Sequence, residues 1–342
     1  MNRIAFIEYA RGYAILSIVL YHYLVGYDLG KWLNLSVFFG GTGIHLFFFL
    51  SGFGLNLSKS IKLEGYFSKR FLKVYFPYFL IVTLIYTSST FIALYPDANV
   101  NVYLSHILLY KMFFHEYINS LGGHFWFIST IIQFYIVFPL LRRLQQVLGN
   151  NLFLVLSVIV SLIHLLLTIY FSLYARHISS IFTLYLWEFA LGMYLAKAYQ
   201  KDGVKFWDGS IWKFAALFLF SITVMGVLTL RLNEVGVVLN DFAAFFAYTS
   251  FCIISYHLIS KSIAPVGNWI ISVGKYSYSL YLIHMLVLHL VEKSFRTISF
   301  DYPLFYLPLI FVLTLFLAAK YEQITTILTN LLSTRVRIFS RQ

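Results

Sequence analysis

Long apolar stretches dominate the chain, and short polar segments separate them. Ten of these stretches have about the 20 residues that a helix needs to cross a bilayer. Turn-forming residues such as Pro96, Gly149 and Pro265 stand near their ends. The pattern therefore predicts an all-α integral membrane protein, a bundle of about ten transmembrane helices. The expected spans are 5–27, 36–57, 74–95, 124–142, 151–174, 180–197, 212–231, 241–260, 273–291 and 303–320.

One more apolar stretch, residues 100–118, has nearly the length of a span but carries several titratable side chains. His106, Lys111, His115 and Glu116 lie within it, and ionisable groups are costly in lipid. We therefore expect an interfacial or re-entrant helix on the extracytoplasmic side instead of an eleventh span.

The composition is that of a membrane protein, and the charges indicate an orientation. The 342 residues are 60% hydrophobic and 11% charged, whereas soluble domains carry about 25% charged residues. With the N-terminus in the cytoplasm, eighteen Lys and Arg residues fall on the cytoplasmic side and six on the other. The positive-inside rule then places both termini in the cytoplasm. The net charge of +12 follows mostly from this topology, so nucleic-acid binding need not be invoked.

Chain length and cysteine content indicate the domain organisation. Ten spans and their loops use nearly the whole chain, so we expect a single transmembrane domain with its core at about 5–320. A basic cytoplasmic tail at 321–342 follows it. The expected location is the cytoplasmic (inner) membrane, as a multi-pass protein. The one cysteine, Cys252, excludes an intramolecular disulfide, and the oligomeric state stays open.

Glu8, Arg11 and His22 interrupt the first apolar stretch. Arg11 and His22 are eleven residues apart, which brings them within about 20° of one helical direction and about 16 Å apart along the axis. Glu8 lies one turn before Arg11. Because ionisable groups inside a membrane normally face the protein interior, we expect Arg11 at the membrane rim and His22 near the bilayer midplane. The alternative is a pair of buried structural groups.

The second stretch combines glycines with a histidine. We expect the glycines to allow close approach of a helix or a ligand. His45 is expected at a depth close to that of His22, and both a structural hydrogen bond and a functional role stay open for it. His45 and Ser51 are candidate substrate-binding residues. The glycines are Gly40, Gly41, Gly43, Gly52 and Gly54.

Lys69, Arg70 and Lys73 form a basic cluster at the cytoplasmic entry to the third stretch. Such a cluster suits a donor with several phosphates, because Arg binds phosphate through two parallel hydrogen bonds. Tyr75 is a candidate for stacking on a base, although an interfacial aromatic belt also explains it. Plain positive-inside anchoring is the alternative for the basic residues.

Polar residues also enter the fourth, sixth and ninth stretches. His124, Trp126 and Gln133 lie in the fourth, and His284 lies in the ninth, at mid-depth above Lys275; we count these four as candidate substrate-binding residues. Glu188 in the sixth is a functional candidate because it is an ionisable group at membrane depth. No histidine has the spacing of a zinc site, so no metal is expected. Structural roles are expected for His164, His177, His257 and His289.

Read together, these motifs resemble the acyltransferase-3 family of polytopic membrane acyltransferases. The resemblance rests on the R-x10-H arrangement after Glu8, GIHLFFFLSGF, KRFLK followed by Pro77, HFWFISTIIQFY and GKYSYSLYLIH, in the family's order. Two positions depart from it. Lys73 stands where a second arginine is usual, and His45 stands where relatives often carry an acidic residue. The hydrolase-like domain of some relatives is absent from this sequence.

The resemblance implies transfer of an acyl group, with acetyl expected, from cytoplasmic acyl-CoA to a hydroxyl of a cell-surface glycan or lipid-linked sugar. His22 would act as the general base, and Glu8 or another partner would orient Arg11. An acyl-histidine intermediate stays open. Apart from acyl-CoA, the implied partners are the acceptor and membrane lipids, and no tightly bound cofactor is implied.

Two other classes fit part of the pattern. A carrier or flippase for a glycan or lipid-linked sugar would explain buried polar groups among aromatic helices, but it needs no ligand for the basic cluster. A glycan polymerase or ligase would bind a lipid diphosphate there and typically has large outer loops with arginines. The longest expected outer loop, about residues 96–123, has one lysine and no arginine. Transfer from acyl-CoA fits best.

Overall fold

The computed structural model describes residues 4–58, 63–171, 178, 180–297 and 304–339. Within these ranges the chain is helical and has no strand, as the sequence predicts. The helices are α1 (Ala5–Leu24), α2 (Lys31–Gly41), α3 (Gly43–Asn56), α4 (Leu63–Arg70), α5 (Phe76–Ile92), α6 (Val100–Ile107), α7 (Trp126–Leu148), α8 (Asn150–Tyr170), α9 (Leu186–Asp202), α10 (Ile211–Ser262), α11 (Ala264–Gly274), α12 (Ser277–Thr297) and α13 (Leu307–Phe339).

Seven candidate membrane spans, long and apolar enough to cross a bilayer, lie in the described part of the chain. They are Lys31–Asn56, Gly65–Ile92, Gly123–Leu148, Asn150–Tyr170, Ile211–Leu232, Val238–Ser260 and Leu307–Ser333. Each overlaps one of the spans expected from the sequence.

The other three expected spans, 5–27, 180–197 and 273–291, contain α1, α9 and α12, which are not among the seven. α1 carries Glu8, Arg11 and His22, and α9 has only 17 residues. α12 includes two histidines and a Glu–Lys pair. A total of ten spans therefore requires that these three helices, which carry polar residues, also cross the membrane. The far end of the basic tail, 340–342, lies outside the described residues.

The chain divides into two compact units that alternate along the sequence. The first comprises Met1–Ser60 and Val137–Lys275, and the second comprises Ile61–Ile136 and Tyr276–Gln342. Each is described by itself below.

Helices of the first unit approach each other closely where glycines face carbonyl oxygens. A Cβ on Gly52 of α3 would lie 2.1 Å from the oxygen of Phe189, and one on Gly192 of α9 would lie 2.1 Å from the oxygen of Phe49. The two helices therefore pack backbone to backbone, as small residues permit in membrane proteins. Gly12 of α1 meets α11 in the same way, since a Cβ on Gly12 would lie 2.0 Å from the oxygen of Ile270. The expectation that glycines of the second stretch allow close helix approach is confirmed.

Helix α10 is a helical segment of 52 residues that folds back on itself. The Nδ2 of Asn240 donates to the Oγ1 of Thr229 at 2.8 Å, although eleven residues of straight helix would separate them by about 16 Å. The rings of Phe218 and Phe251 stack at 5.1 Å. The two arms therefore run antiparallel, which accounts for two candidate spans in one segment.

In the second unit, a single π-helical turn, Phe71–Tyr75, joins α4 to α5. Pro77 follows at the start of α5 and has no N–H for the helical ladder, which favours such an irregular turn upstream. Residues 100–118 form α6 and two short 3₁₀ turns, Lys111–Phe113 and His115–Tyr117. They contain no candidate span, as expected.

Candidate functional site

Arg11 and His22 lie on one face of α1, and the residues between them on that face are buried. Ile15 and Ile18 have the spacing that continues the stripe, and they are 0% and 2% exposed. The side chain of Arg11 is 33% exposed, and its Nη1 lies 3.5 Å from Oε1 of Glu8. The stripe Arg11–Ile15–Ile18–His22 therefore faces protein and not lipid, and Glu8 holds the guanidinium, as the sequence predicts.

His22 lies nearer the end of α1 than the sequence suggested. It is in the last turn, two residues before the helix ends at Leu24. The first helix thus ends earlier than the expected bound of 27, and the placement of His22 near the bilayer midplane stays a prediction.

His22 and His45 also differ in depth. α1 runs antiparallel to the second stretch, since Ser17 donates to the oxygen of Gly40 at 3.2 Å and a Cβ on Gly43 would lie 3.3 Å from the oxygen of Ala14. Measured along the helix axes from the contact between Ala14 and Gly43, His22 lies about 12 Å away in one direction and His45 about 3 Å away in the other. The expected common depth is wrong, because the crossing places the backbones of the two residues about 15 Å apart along the axis.

His45 lies between two carboxylates of the first unit. Its Nδ1 is 2.8 Å from Oε1 of Glu188 on α9, and its Nε2 is 3.6 Å from Oδ1 of Asp241 on α10. His45 and Glu188 are buried, whereas the side chain of Asp241 is 26% exposed. The second oxygen of Glu188 has no hydrogen-bond partner within the described ranges. A carboxylate at Nδ1 fixes the orientation of an imidazole and makes Nε2 the nitrogen that exchanges a proton.

His45 lies on the side of α3 opposite to the side that faces Arg11 of α1. A Cβ on Gly54 would lie 3.4 Å from Nη2 of Arg11, so Gly54 faces α1. His45 is nine residues from Gly54, which corresponds to about half a turn of direction. Ser51 is half-buried and shares the side of Gly54, because it is one turn away. The structure thus brings Ser51, and not His45, toward the Arg11 side of α3.

The basic cluster belongs to the second unit, and its members have different surroundings. Arg70 is half-buried, and its guanidinium carbon lies 5.7 Å from the ring centres of both Tyr66 and Tyr135. The Tyr66 hydroxyl donates to the backbone oxygen of Tyr135 at 3.0 Å, which fixes the Tyr66 ring relative to the backbone of Tyr135. Lys69 and Lys73 are exposed. Arg70 is therefore a preorganised cation, and the two lysines are exposed charges beside it.

Tyr75 makes contacts within the protein. Its hydroxyl donates to the oxygen of Ile107 at 2.5 Å, and its ring stacks on Phe71 at 5.0 Å. It is half-buried, so part of the ring stays accessible for the predicted stacking.

His124 and His284 come together in the second unit, with ring centres 4.9 Å apart. The Nδ1 of His284 donates to the oxygen of Tyr281 at 2.7 Å, since a carbonyl only accepts. The hydroxyl of Tyr281 donates in turn to the oxygen of His124. This fixes the Nδ1-protonated tautomer of His284 when the ring is neutral.

Trp126 and Gln133 lie on α7, which directly follows the turn that contains His124, and both are half-buried. Of the histidines expected to be structural, His257 donates through Nε2 to the oxygen of Trp207 at 2.8 Å, and His289 pairs through Nδ1 with the Tyr95 hydroxyl at 2.7 Å. His164 pairs with Thr183. His177 lies outside the described residues.

The structure therefore sorts the predicted site residues into four groups, two in each unit. They are the Arg11–His22 stripe with Glu8, the His45 group, the Arg70 cluster and the His124–His284 pair. Asp241 and Tyr281 were missed by sequence reasoning. Asp241 is an ionisable residue at the edge of an expected span, which was the signal that marked Glu188, and Tyr281 lies one helical turn before His284. No metal-binding group of three or more His, Cys, Asp or Glu side chains occurs among the described residues.

A family model described as an acyltransferase domain matches residues 4–321, nearly the whole chain. The matched range contains every predicted site residue, from Glu8 to His284. Searches of the curated proteins and of the solved structures return no match to this chain.

Proposed function

The chain belongs to the acyltransferase-3 family, and from that premise we propose that it transfers an acyl group, acetyl first of all, from cytoplasmic acyl-CoA to a hydroxyl of a cell-surface glycan or lipid-linked sugar. We also propose that the protein crosses the cytoplasmic (inner) membrane ten times and that both of its termini lie in the cytoplasm. The excess of Lys and Arg on one side of the expected spans supports this orientation.

The observation that carries the proposal is the inward-facing stripe of α1. It has a cation held by Glu8 at one end, an imidazole about 16 Å away at the other, and two buried isoleucines between them. An extended phosphopantetheine arm has a length of this order. Phosphates held at the Arg11 end would thus place a thioester at the level of His22.

In the proposed reaction His22 takes the proton of the acceptor hydroxyl. The oxygen then attacks the thioester carbonyl, a C–O bond forms, and the C–S bond breaks. Coenzyme A leaves as a thiolate and receives the proton that His22 accepted, so atoms and charges balance. General-base catalysis of this kind contributes about 10²–10⁴-fold to rate. An acyl-histidine intermediate would give the same products in two steps.

The donor would be held by Arg11 and by the basic cluster. Arg70 is the strongest candidate because two tyrosine rings fix its guanidinium, and a fixed planar guanidinium suits phosphate better than a mobile ammonium. Lys69 and Lys73 add charge, and Tyr75 offers part of its ring to the adenine.

The acceptor would be contacted by polar and aromatic side chains of the expected spans. We assign this role to Ser51, Trp126, Gln133 and the histidines 45, 124 and 284. The Glu188–His45 hydrogen bond and the His284–Tyr281 hydrogen bond support it, because both orient an imidazole before substrate binds.

Mass spectrometry of surface glycans tests the proposal. Glycans from a deletion strain should lack an ester-linked acyl group that wild-type cells carry, and the wild-type gene should restore it. Glycans that reach the surface in reduced amount but with unchanged acylation would indicate a carrier and would contradict the proposal.

A further inference from the structure

Lys111 is a fully buried lysine that the proposed reaction does not use. It lies in the 3₁₀ turn after α6, in the second unit, and its exposure is 0%. Its Nζ donates to the oxygens of Ser120 and Gly122, each at 3.4 Å. A buried amine has to be satisfied by hydrogen bonds, and here backbone carbonyls supply them.

His106 binds the same carbonyl from the other side. Its Nε2 lies 3.0 Å from the oxygen of Ser120, and its Nδ1 lies 3.0 Å from the hydroxyl of Tyr78. Because the carbonyl only accepts, Nε2 carries the proton and Nδ1 accepts from Tyr78. Two side chains that are completely buried thus converge on the turn 120–122.

That turn has a backbone conformation that needs such support. Leu121 and Gly122 have φ values of 47° and 113°, in the left-handed region. A Cβ on Gly122 would lie 2.8 Å from Cε1 of His124, so the turn packs directly on the imidazole. The position of the His124 ring therefore depends on the carbonyls that Lys111 holds.

We propose that Lys111 is a positioning residue. Through the carbonyls of Ser120 and Gly122 it sets the turn that places His124 beside His284, and so it sets the affinity for the acceptor. The inference rests on the proposed acyl transfer, in which His124 and His284 contact the acceptor. Tyr281 holds the carbonyl of His124 from α12, so the turn and the ring are fixed at both ends.

The charge state of Lys111 adds a pH signature. Burial lowers the pKa of its amine to about 7, and Asp97 opposes this shift. Burial and the nearby Lys111 both lower the pKa of His106. His106 and Asp97 are the titratable groups that act on the amine among the described residues. The amine therefore changes charge near neutral pH, in contact with the turn that holds His124.

Three variants separate positioning from general stability. Lys111→Met keeps the shape and removes the donor, whereas Lys111→Gln keeps a donor and removes the titration. Lys293→Met is the matched control, because Lys293 also donates to a carbonyl, that of Ala93 at 3.5 Å, but is exposed. Acyl-transfer rates would be measured against acceptor and acyl-CoA concentration at several pH values, with thermal unfolding in detergent alongside.

For Lys111→Met we expect the acceptor KM to rise on the order of tenfold or more with the acyl-CoA KM unchanged. Its pH profile should lose an inflection near 7. Lys111→Gln should keep the acceptor KM near that of wild type, and its pH profile should lack the inflection near 7. This variant tests the role of Lys111 if Lys111→Met fails to fold. An unchanged acceptor KM in folded Lys111→Met, or an equal rise in KM for both substrates, would overturn the inference.

A readout without turnover keeps this test separate from the proposed function. In protein labelled with ¹³C-histidine, Lys111→Met should shift the His124 signal and leave the His257 signal in place. A wild-type protein without acyl transfer would contradict the proposed function alone. An unmoved His124 signal would overturn the placement by Lys111, whatever the activity.

Discussion

The Nδ1 of His45 lies 2.8 Å from Oε1 of Glu188, and the two residues join α3 to α9 where both helices are buried. The same helices pack through Gly52 and Gly192 without intervening side chains. Burying a pair of ionisable side chains is costly, and the cost is offset only while both partners are present. The pair therefore specifies how α3 and α9 meet more than it adds to net stability.

Removing one partner should be worse than removing both. Glu188→Ala or His45→Ala should lower the free energy of unfolding by about 3–5 kcal/mol, because each leaves a polar group buried without its partner. Combining His45→Leu with Glu188→Met should recover much of that loss. Thermal and denaturant unfolding of the purified protein in detergent measures both. Additive losses in the double variant would contradict a coupled pair.

The glycine contact between α3 and α9 gives a second prediction. Gly192→Ala should destabilise the protein by about 1–3 kcal/mol, since the new Cβ would lie 2.1 Å from the oxygen of Phe49. Gly226→Ala is the control, because among the described residues a Cβ there would meet no atom within 4 Å apart from the nearby backbone of its own helix. Alanine there should be neutral or stabilise the helix slightly. Equal melting temperatures for the two variants would show that α3 and α9 pack less closely.

Much of the architecture could be read from the chain because apolar length alone identifies membrane helices. The seven candidate spans lie where hydropathy predicts them, and the titratable residues in 100–118 mark a segment without one. The ion pair between Glu8 and Arg11 was predictable because it is local, one helical turn apart.

Contacts between helices that are distant in sequence could not be read in this way. The depth of His45 relative to His22 depends on how α1 crosses the second stretch, and helical periodicity within one segment does not determine that crossing. The partner Asp241 reaches His45 because α10 packs on α3, which no spacing in the sequence encodes. In the sequence, Lys111 served only as an argument against a membrane span at residues 100–118. Only the fold shows that its amine binds the turn 120–122.

Arg70 should contribute more to donor affinity than its neighbours in the basic cluster. Arg70→Lys should raise the KM for acyl-CoA on the order of tenfold, because lysine lacks the planar group that packs between Tyr66 and Tyr135. The exposed Lys69 should matter less when changed to Gln. Lys205→Gln is the control, since Lys205 is a surface residue paired with Asp208. A similar rise in the acceptor KM would argue against a donor site.

The proposed orientation predicts which exposed positions an impermeant thiol reagent reaches in intact cells. Cysteines at Lys69 and Glu116, both exposed, would be compared in a Cys252→Ala background, since Cys252 is buried. Position 116 should be labelled from outside, and position 69 only after permeabilisation. Labelling of position 69 in intact cells would invert the topology and remove the cytoplasmic donor.

The central claim is that His22 accepts the proton of the acceptor hydroxyl, and its most direct test is acyl transfer from radiolabelled acetyl-CoA to surface glycan in membranes that contain His22→Gln. His257→Gln is the matched control, because glutamine keeps a donor for the Trp207 carbonyl. At equal amounts of folded protein, we expect the His22 variant to lose about 10²–10⁴-fold in rate and the His257 variant to match wild type. A His22→Gln protein that transfers acetyl at the wild-type rate would contradict the account.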